Sequence, residues 1–226
     1  MPTKKIVNNL PLLNKAIAHW GQAETAIGEA LVLPDGTTHD GAIDLATSIK
    51  DAETALTDQR NALSKAQGER TSTRTVAQNA AKQARKSLRG LAKNVPDVLG
   101  LPDLPAATSA PATLLAVYTD IANVWERVNA LPQASVPAAK LPLRIPLLEG
   151  NATVHLTQAE FVARVEALAS AAESLASAES AVSVGLATRD DLHKQASTVV
   201  KDYAGVVRGV LPDGHPLLKT IPTLSG

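Results

Sequence analysis

The chain has 226 residues, enough for one large domain or two small ones and for a sizeable core. Lys plus Arg equals Asp plus Glu at 22 each, so no global charge bias points to nucleic acid or anionic lipid, and one brake on self-association is missing. The absence of cysteine excludes disulfides and thiolate chemistry. The scarcity of aromatics (2%) leaves a core of Ala, Leu and Val that suits close-packed helices.

The basic start, Met1 to Lys5, is followed by Asn8, Asn9, Pro11 and Asn14 rather than by an unbroken apolar region with a cleavage site. No run reaches the roughly 18–20 apolar residues that span a bilayer. The expectation is a soluble chain without a cleaved signal, cytoplasmic by default, with leaderless export left open. A first helix bearing Trp20 is expected over Leu12–Leu31, and Asp40 is the expected cap of a longer helix ahead of Gly41.

That longer helix carries a stripe in alternating steps of four and three: Leu45, Ile49, Ala52, Leu56, Gln59, Leu63 and Ala66. Phe161, Val165, Leu168, Ala172, Leu175, Glu179 and Val182 repeat it at an offset of 116, the mark of an internal duplication. Residues 42–94 and 158–211 hold no proline, and each allows one helix of about 80 Å. The weak helix formers at Gln67–Thr73 and Ser183–Asp190, around Gly68 and Gly185, favour a hairpin in each copy. The returning stripes are Ala77, Ala81, Ala84, Leu88, Leu91 and Val95 in the first copy, and Leu192, Ala196, Val199, Tyr203, Val206 and Val210 in the second.

A second Trp helix, Thr113–Leu131 with Trp125, opens the second copy, and both tryptophans read as packing anchors. Prolines 132, 137, 142 and 146 make the connector extended, and Thr157 with Glu160 forms a capping box. Apolar segments that cannot be helical follow each copy at 98–105 and 216–224, with a third at 140–148. They either strap across their own bundle or dock on a neighbour. The fold expected is all-α: tandemly duplicated antiparallel helical hairpins forming one bundle with coiled-coil seams and extended Pro/Leu-rich connectors. The copies are residues 1–107 and 108–226.

Signals for chemistry are sparse. His39 and His155 share the 116 offset, but no Cys, His-x-x-x-His or Glu-x-x-His accompanies them, and each is expected to support a helix start. His193 beside Asp190 and Asp191 suggests a surface ion pair, and His19 and His215 stand alone. The glycine-rich phosphate loop, dinucleotide fingerprint and Gly-x-Ser-x-Gly are absent from the sequence. Glu166, Glu173 and Glu179 read as solvated faces. Neither catalytic residues nor a metal or cofactor are expected.

The leading expectation is a non-enzymatic structural or interaction protein. Its partner is itself or another protein, engaged through helical faces and apolar arms, with Leu217, Leu218, Ile221 and Leu224 buried on a neighbour. The alternative is an anion or nucleic-acid binder using the basic helix 70–93, with Arg74, Lys82, Arg85, Lys86, Arg89 and Lys93. Against it, no aromatic interleaves the strip, and the acidic first helices offer these cations partners within the protein.

Overall fold

The computed structural model describes residues 8–91 and 100–223. Among them are four α-helices: α1 Leu10–Ile27, α2 His39–Leu91, α3 Pro111–Asn129 and α4 Gln158–Val210. One two-stranded sheet joins them, with β1 Ile145–Glu149 and β2 Ala152–Leu156. The molecule is predominantly helical, as its composition dictates.

α2 and α4 are each a continuous helix of 53 residues, so the expected hairpin turns do not form. A glycine in a helix interior costs about 1 kcal/mol relative to alanine, too little to break a helix held by packing on both sides of it. Around Gly68 the threonines 71, 73 and 75 return their hydroxyls to carbonyls one turn back, which leaves the helical backbone bonded. At Gly185 a side chain has little room. A Cβ there would collide with Gln59 Oε1 and lie 3.3 Å from Leu56 Cδ1.

The helix starts differ from one another. Thr157 and Glu160 form the expected box: the Thr157 N–H donates to Glu160 Oε2 at 2.7 Å, and the Glu160 N–H donates to Thr157 Oγ1 at 3.2 Å. The Thr157 N–H and, at 2.9 Å, the Thr157 hydroxyl both donate to the Glu160 carboxylate and hold it below the usual range. In α2 the cap is Thr38, whose Oγ1 accepts from the Gly41 N–H at 3.2 Å, and Asp40 lies inside the first turn.

The described residues cluster in two compact units, one within Met1–Asn61 and Ser180–Gly226, the other within Ala62–Glu179. Each unit holds one Trp helix, the first part of one long helix and the last part of the other. In the first unit α1 contributes Leu13, Ala16 and Trp20, α2 contributes Ala42, Ala46 and Ile49, and α4 contributes Val199, Val200, Tyr203 and Val207. In the second unit α3 contributes Tyr118, Ile121 and Trp125, α4 contributes Phe161, Val165 and Leu168, and α2 contributes Ala77, Ala80, Ala81, Ala84 and Leu88.

The buried positions of α2 and α4 recur at a shift other than the expected 116 residues. From His39 to Gln158 and from Leu91 to Val210 the shift is 119 residues, and buried positions coincide at that shift. Ala42 matches Phe161, Ala46 matches Val165, Ile49 matches Leu168, Leu56 matches Leu175, Ala77 matches Ala196, Ala84 matches Tyr203 and Leu88 matches Val207. The Trp helices correspond at 105: Leu13 with Tyr118, Ala16 with Ile121, Trp20 with Trp125 and Ala23 with Val128. Volume is exchanged between the units as a close-packed interior requires. Beneath Trp20 the first unit sets Tyr203 from α4, with Ala42 on α2. Against Trp125 the second sets Phe161 from α4, with Ala84 on α2.

The proline-rich connector is not extended throughout: Gln133–Ser135 forms a 3-10 turn, turns follow, and the part from Ile145 on pairs as a strand, which the all-α expectation omitted. Leu143, Ile145 and Leu147 alternate inward while Arg144, Pro146 and Leu148 face outward, and Gly150 at φ +58 turns the chain into β2. The inward residues cover the second core, and the Leu143 carbonyl accepts from Trp125 Nε1 at 3.3 Å.

Candidate functional site

The C-terminal segment leaves α4 at Leu211 and Pro212, turns at Gly214 (φ +83) and forms a 3-10 turn at Pro216–Lys219. His215 starts that turn, with Nδ1 accepting from the Leu217 N–H at 3.3 Å. Ile221 is buried in the first core, with Leu217 and Leu218 half-buried against it. Three of the four expected association residues thus lie on the chain's own unit, and Leu224 lies outside the described residues. The segment lies as a strap on its own unit, one of the two arrangements expected for it.

The strap is fastened by His19, which sequence left without a partner. His19 is 6% exposed on the inner face of α1. Its Nδ1 is 2.5 Å from the Tyr203 hydroxyl, and its Nε2 is 2.9 Å from the Leu217 carbonyl and 3.2 Å from Thr220 Oγ1. A carbonyl only accepts, so Nε2 carries a proton. Tyr203 is fully buried, its ring stacked on Trp20 at 4.8 Å, and burial raises its phenol far above the usual range. The hydroxyl therefore keeps its proton, and opposite the tautomer with its proton on Nε2 it donates that proton to Nδ1. Trp20 Nε1 donates to Glu24 at 3.0 Å, and the same Glu24 oxygen accepts from the Leu31 N–H at 2.9 Å.

Two other histidines are also structural parts of the first unit. His39 points Nε2 at the Ile17 carbonyl, 3.1 Å away, and meets Trp20 edge-on. His155 is exposed on β2 in the second unit, so the histidines aligned at 116 occupy unlike settings. His193 is buried rather than ion-paired at the surface. Its Nδ1 accepts from the Asn9 N–H at 3.4 Å, its carbonyl accepts from Asn9 Nδ2 at 2.9 Å, and Nε2 faces Glu53 at 3.5 Å. The surface pairs there are Arg189–Asp190 and Lys194–Asp191. The one signal available in sequence was that His193 falls one position after Leu192 at the edge of the returning stripe.

The basic strip is divided by the fold. Arg74 donates to the carbonyls of Ala107 and Ser109, and Arg85 donates to the Pro102 carbonyl at 2.7 Å and pairs with Asp103. Both arginines thus hold the 100–109 loop against α2. Lys82, Lys86 and Arg89 are exposed on α2, at spacings that place them along one side, and Lys93 lies outside the described residues. Glu166, Glu173 and Glu179 are exposed, as expected.

Concavities offer little for chemistry. A groove along Ala139–Arg144 presents Lys140 and Arg144 without a carboxylate among its lining residues. Another, beside Val76 and Asn79, holds the Arg164–Glu149 ion pair at 2.5 Å. Among the described residues no group of three or more His, Asp or Glu is placed to hold a metal, and no helix is long and apolar enough to cross a membrane. No protein-family model matches the chain, and no curated protein or solved structure is significantly similar to it.

Proposed function

We propose that this chain is a non-enzymatic structural or interaction protein that associates with further copies of itself. The observation that carries this reading is the strap. Residues 212–223 join α4 through a turn at Gly214 and meet their own unit through Ile221, Leu217, Leu218 and the His19 bonds. An identical segment from a second copy makes the same contacts, which is the condition for exchange of an element between protomers. Faces of the long helices add apolar surface: Ile43, Val76, Val184 and Val210 are each more than 40% exposed, and Leu148 at the hairpin is 70% exposed. The test is deletion of residues 212–226 with mass measured by light scattering. Loss of the oligomer supports strap exchange, and an unchanged oligomer excludes it.

The exposure of Lys82, Lys86 and Arg89 favours a second reading, binding of a polyanion along this part of α2. It requires binding that weakens steeply with salt and disappears when the three cations are replaced by glutamate.

A further inference from the structure

We propose that His19 is a pH-sensitive latch: as a neutral ring it holds the C-terminal strap down, and on protonation it frees the strap for exchange with a second copy. The inference rests on the strap-exchange reading given above and adds its regulation.

The argument is one of donors and acceptors. In the closed arrangement Nε2–H donates to the Leu217 carbonyl and Nδ1 accepts from the Tyr203 hydroxyl. A proton added to the ring can enter only at Nδ1, where it meets a hydroxyl proton across 2.5 Å. Tyr203 must then turn that proton away, but it is fully buried against the Trp20 ring, and His19 is its hydrogen-bond partner among the described residues. The new charge is 6% exposed and takes part in no ion pair among the described residues, so no contacting carboxylate offsets its desolvation. Opening relieves both conflicts, because the strap is what separates His19 from water on the Leu217 side.

The charged and titratable groups on the elements around it do not reverse that balance. The strap carries Asp213, His215 and Lys219, and it meets His19 through the Leu217 carbonyl and Thr220 rather than through any of these three. On α4 Asp202 adjoins Tyr203, and on α2 His39 packs one residue along, at Trp20. On α1 itself the carboxylate of Glu24 is engaged by Trp20 and Leu31, and Lys15 lies one turn back.

The experiment is hydrogen–deuterium exchange of peptides covering 212–223 in the full chain, corrected for intrinsic rates, with mass followed in parallel by light scattering. Between about pH 7.5 and about pH 5 the strap amides lose protection about tenfold or more, while the α3 amides keep theirs. Glutamine can donate to Leu217 and accept from Tyr203 without titrating, so His19→Gln keeps the strap protected at both pH values. His215→Asn retains a cap acceptor and responds as the wild type does. Strap protection that ignores pH, or a His19→Gln variant that opens with acid, overturns the latch. Acid opening without any gain in mass leaves the latch standing and overturns strap exchange. A gain in mass while the strap stays protected overturns the latch as the control of assembly.

Discussion

Substitution at Gly68 separates a continuous α2 from a hairpin with unusual economy. Gly68 is exposed in the helix interior, and a Cβ built there meets nothing within 4 Å. Gly68→Ala therefore adds only the propensity difference, about 0.8–1 kcal/mol of added stability. Gly68→Pro removes a backbone hydrogen bond and clashes one turn back, for a loss of about 3 kcal/mol or more. Gly185→Ala carries the same propensity gain, but its Cβ must displace the end of Gln59 and crowd Leu56 at 3.3 Å. Gln59 is flexible and its buried Oε1 has no hydrogen-bond partner among the described residues, so moving it towards water offsets part of that strain. The net gain at Gly185 is smaller than at Gly68, and combination with Gln59→Ala restores most of the difference. The assay is urea unfolding followed by helical circular dichroism, with the midpoint and slope fitted together. A Gly68→Ala variant that loses about 1 kcal/mol, with Gly68→Pro tolerated, refutes the continuous helix and restores a turn at 67–73.

Four further outcomes follow from the same contacts. Trp125→Ala lowers stability by about 3–5 kcal/mol in denaturant titrations, because the indole is fully buried against Phe161 in the second core. Arg85→Ala speeds proteolytic cleavage within 100–109 much more than Asp103→Asn does, since Asp103 is almost fully exposed and such pairs contribute little, whereas the Pro102 carbonyl loses its donor. Glu160→Gln lowers the melting temperature at neutral pH and converges with the wild type in acid. The lowered carboxyl makes its contribution present above the ordinary glutamate range and lost as pH falls through the lowered value. Replacing Lys82, Lys86 and Arg89 by glutamate leaves the melting temperature nearly unchanged, as expected for exposed side chains, and serves as the fold control for any loss of polyanion binding.

Much of the helix content was legible because the physics is local. The stripes, the Thr157–Glu160 box and the two buried tryptophans all lie in short windows of sequence. The apolar spacing of the two long helices gives a shift of 116, whereas their bounds and buried positions give 119, a difference of nearly one helical turn. An alanine-rich helix offers several adjacent stripes of similar quality, and only burial distinguishes Ala42 and Ala46 from their neighbours. The turns were misplaced at Gly68 and Gly185 because a local weakness of about 1 kcal/mol was set against packing that sequence does not display. The hairpin is written as alternation at Leu141, Leu143, Ile145 and Leu147 before a Gly150-Asn151 turn, but Pro142 and Pro146 within the run lower its strand signal. The histidine contacts were illegible for another reason. His19 meets Tyr203, Leu217 and Thr220 across about 180–200 residues of chain, and His193 meets Asn9 across a similar span. Pairings of that separation leave no periodic trace.

Sedimentation of the intact chain over a wide concentration range, at low and high salt, tests the central claim of self-association most directly. The account predicts mass that rises with concentration towards a defined oligomer or larger assembly and persists in high salt, because the contacts invoked are apolar. A single-chain mass at every concentration and both salts contradicts it.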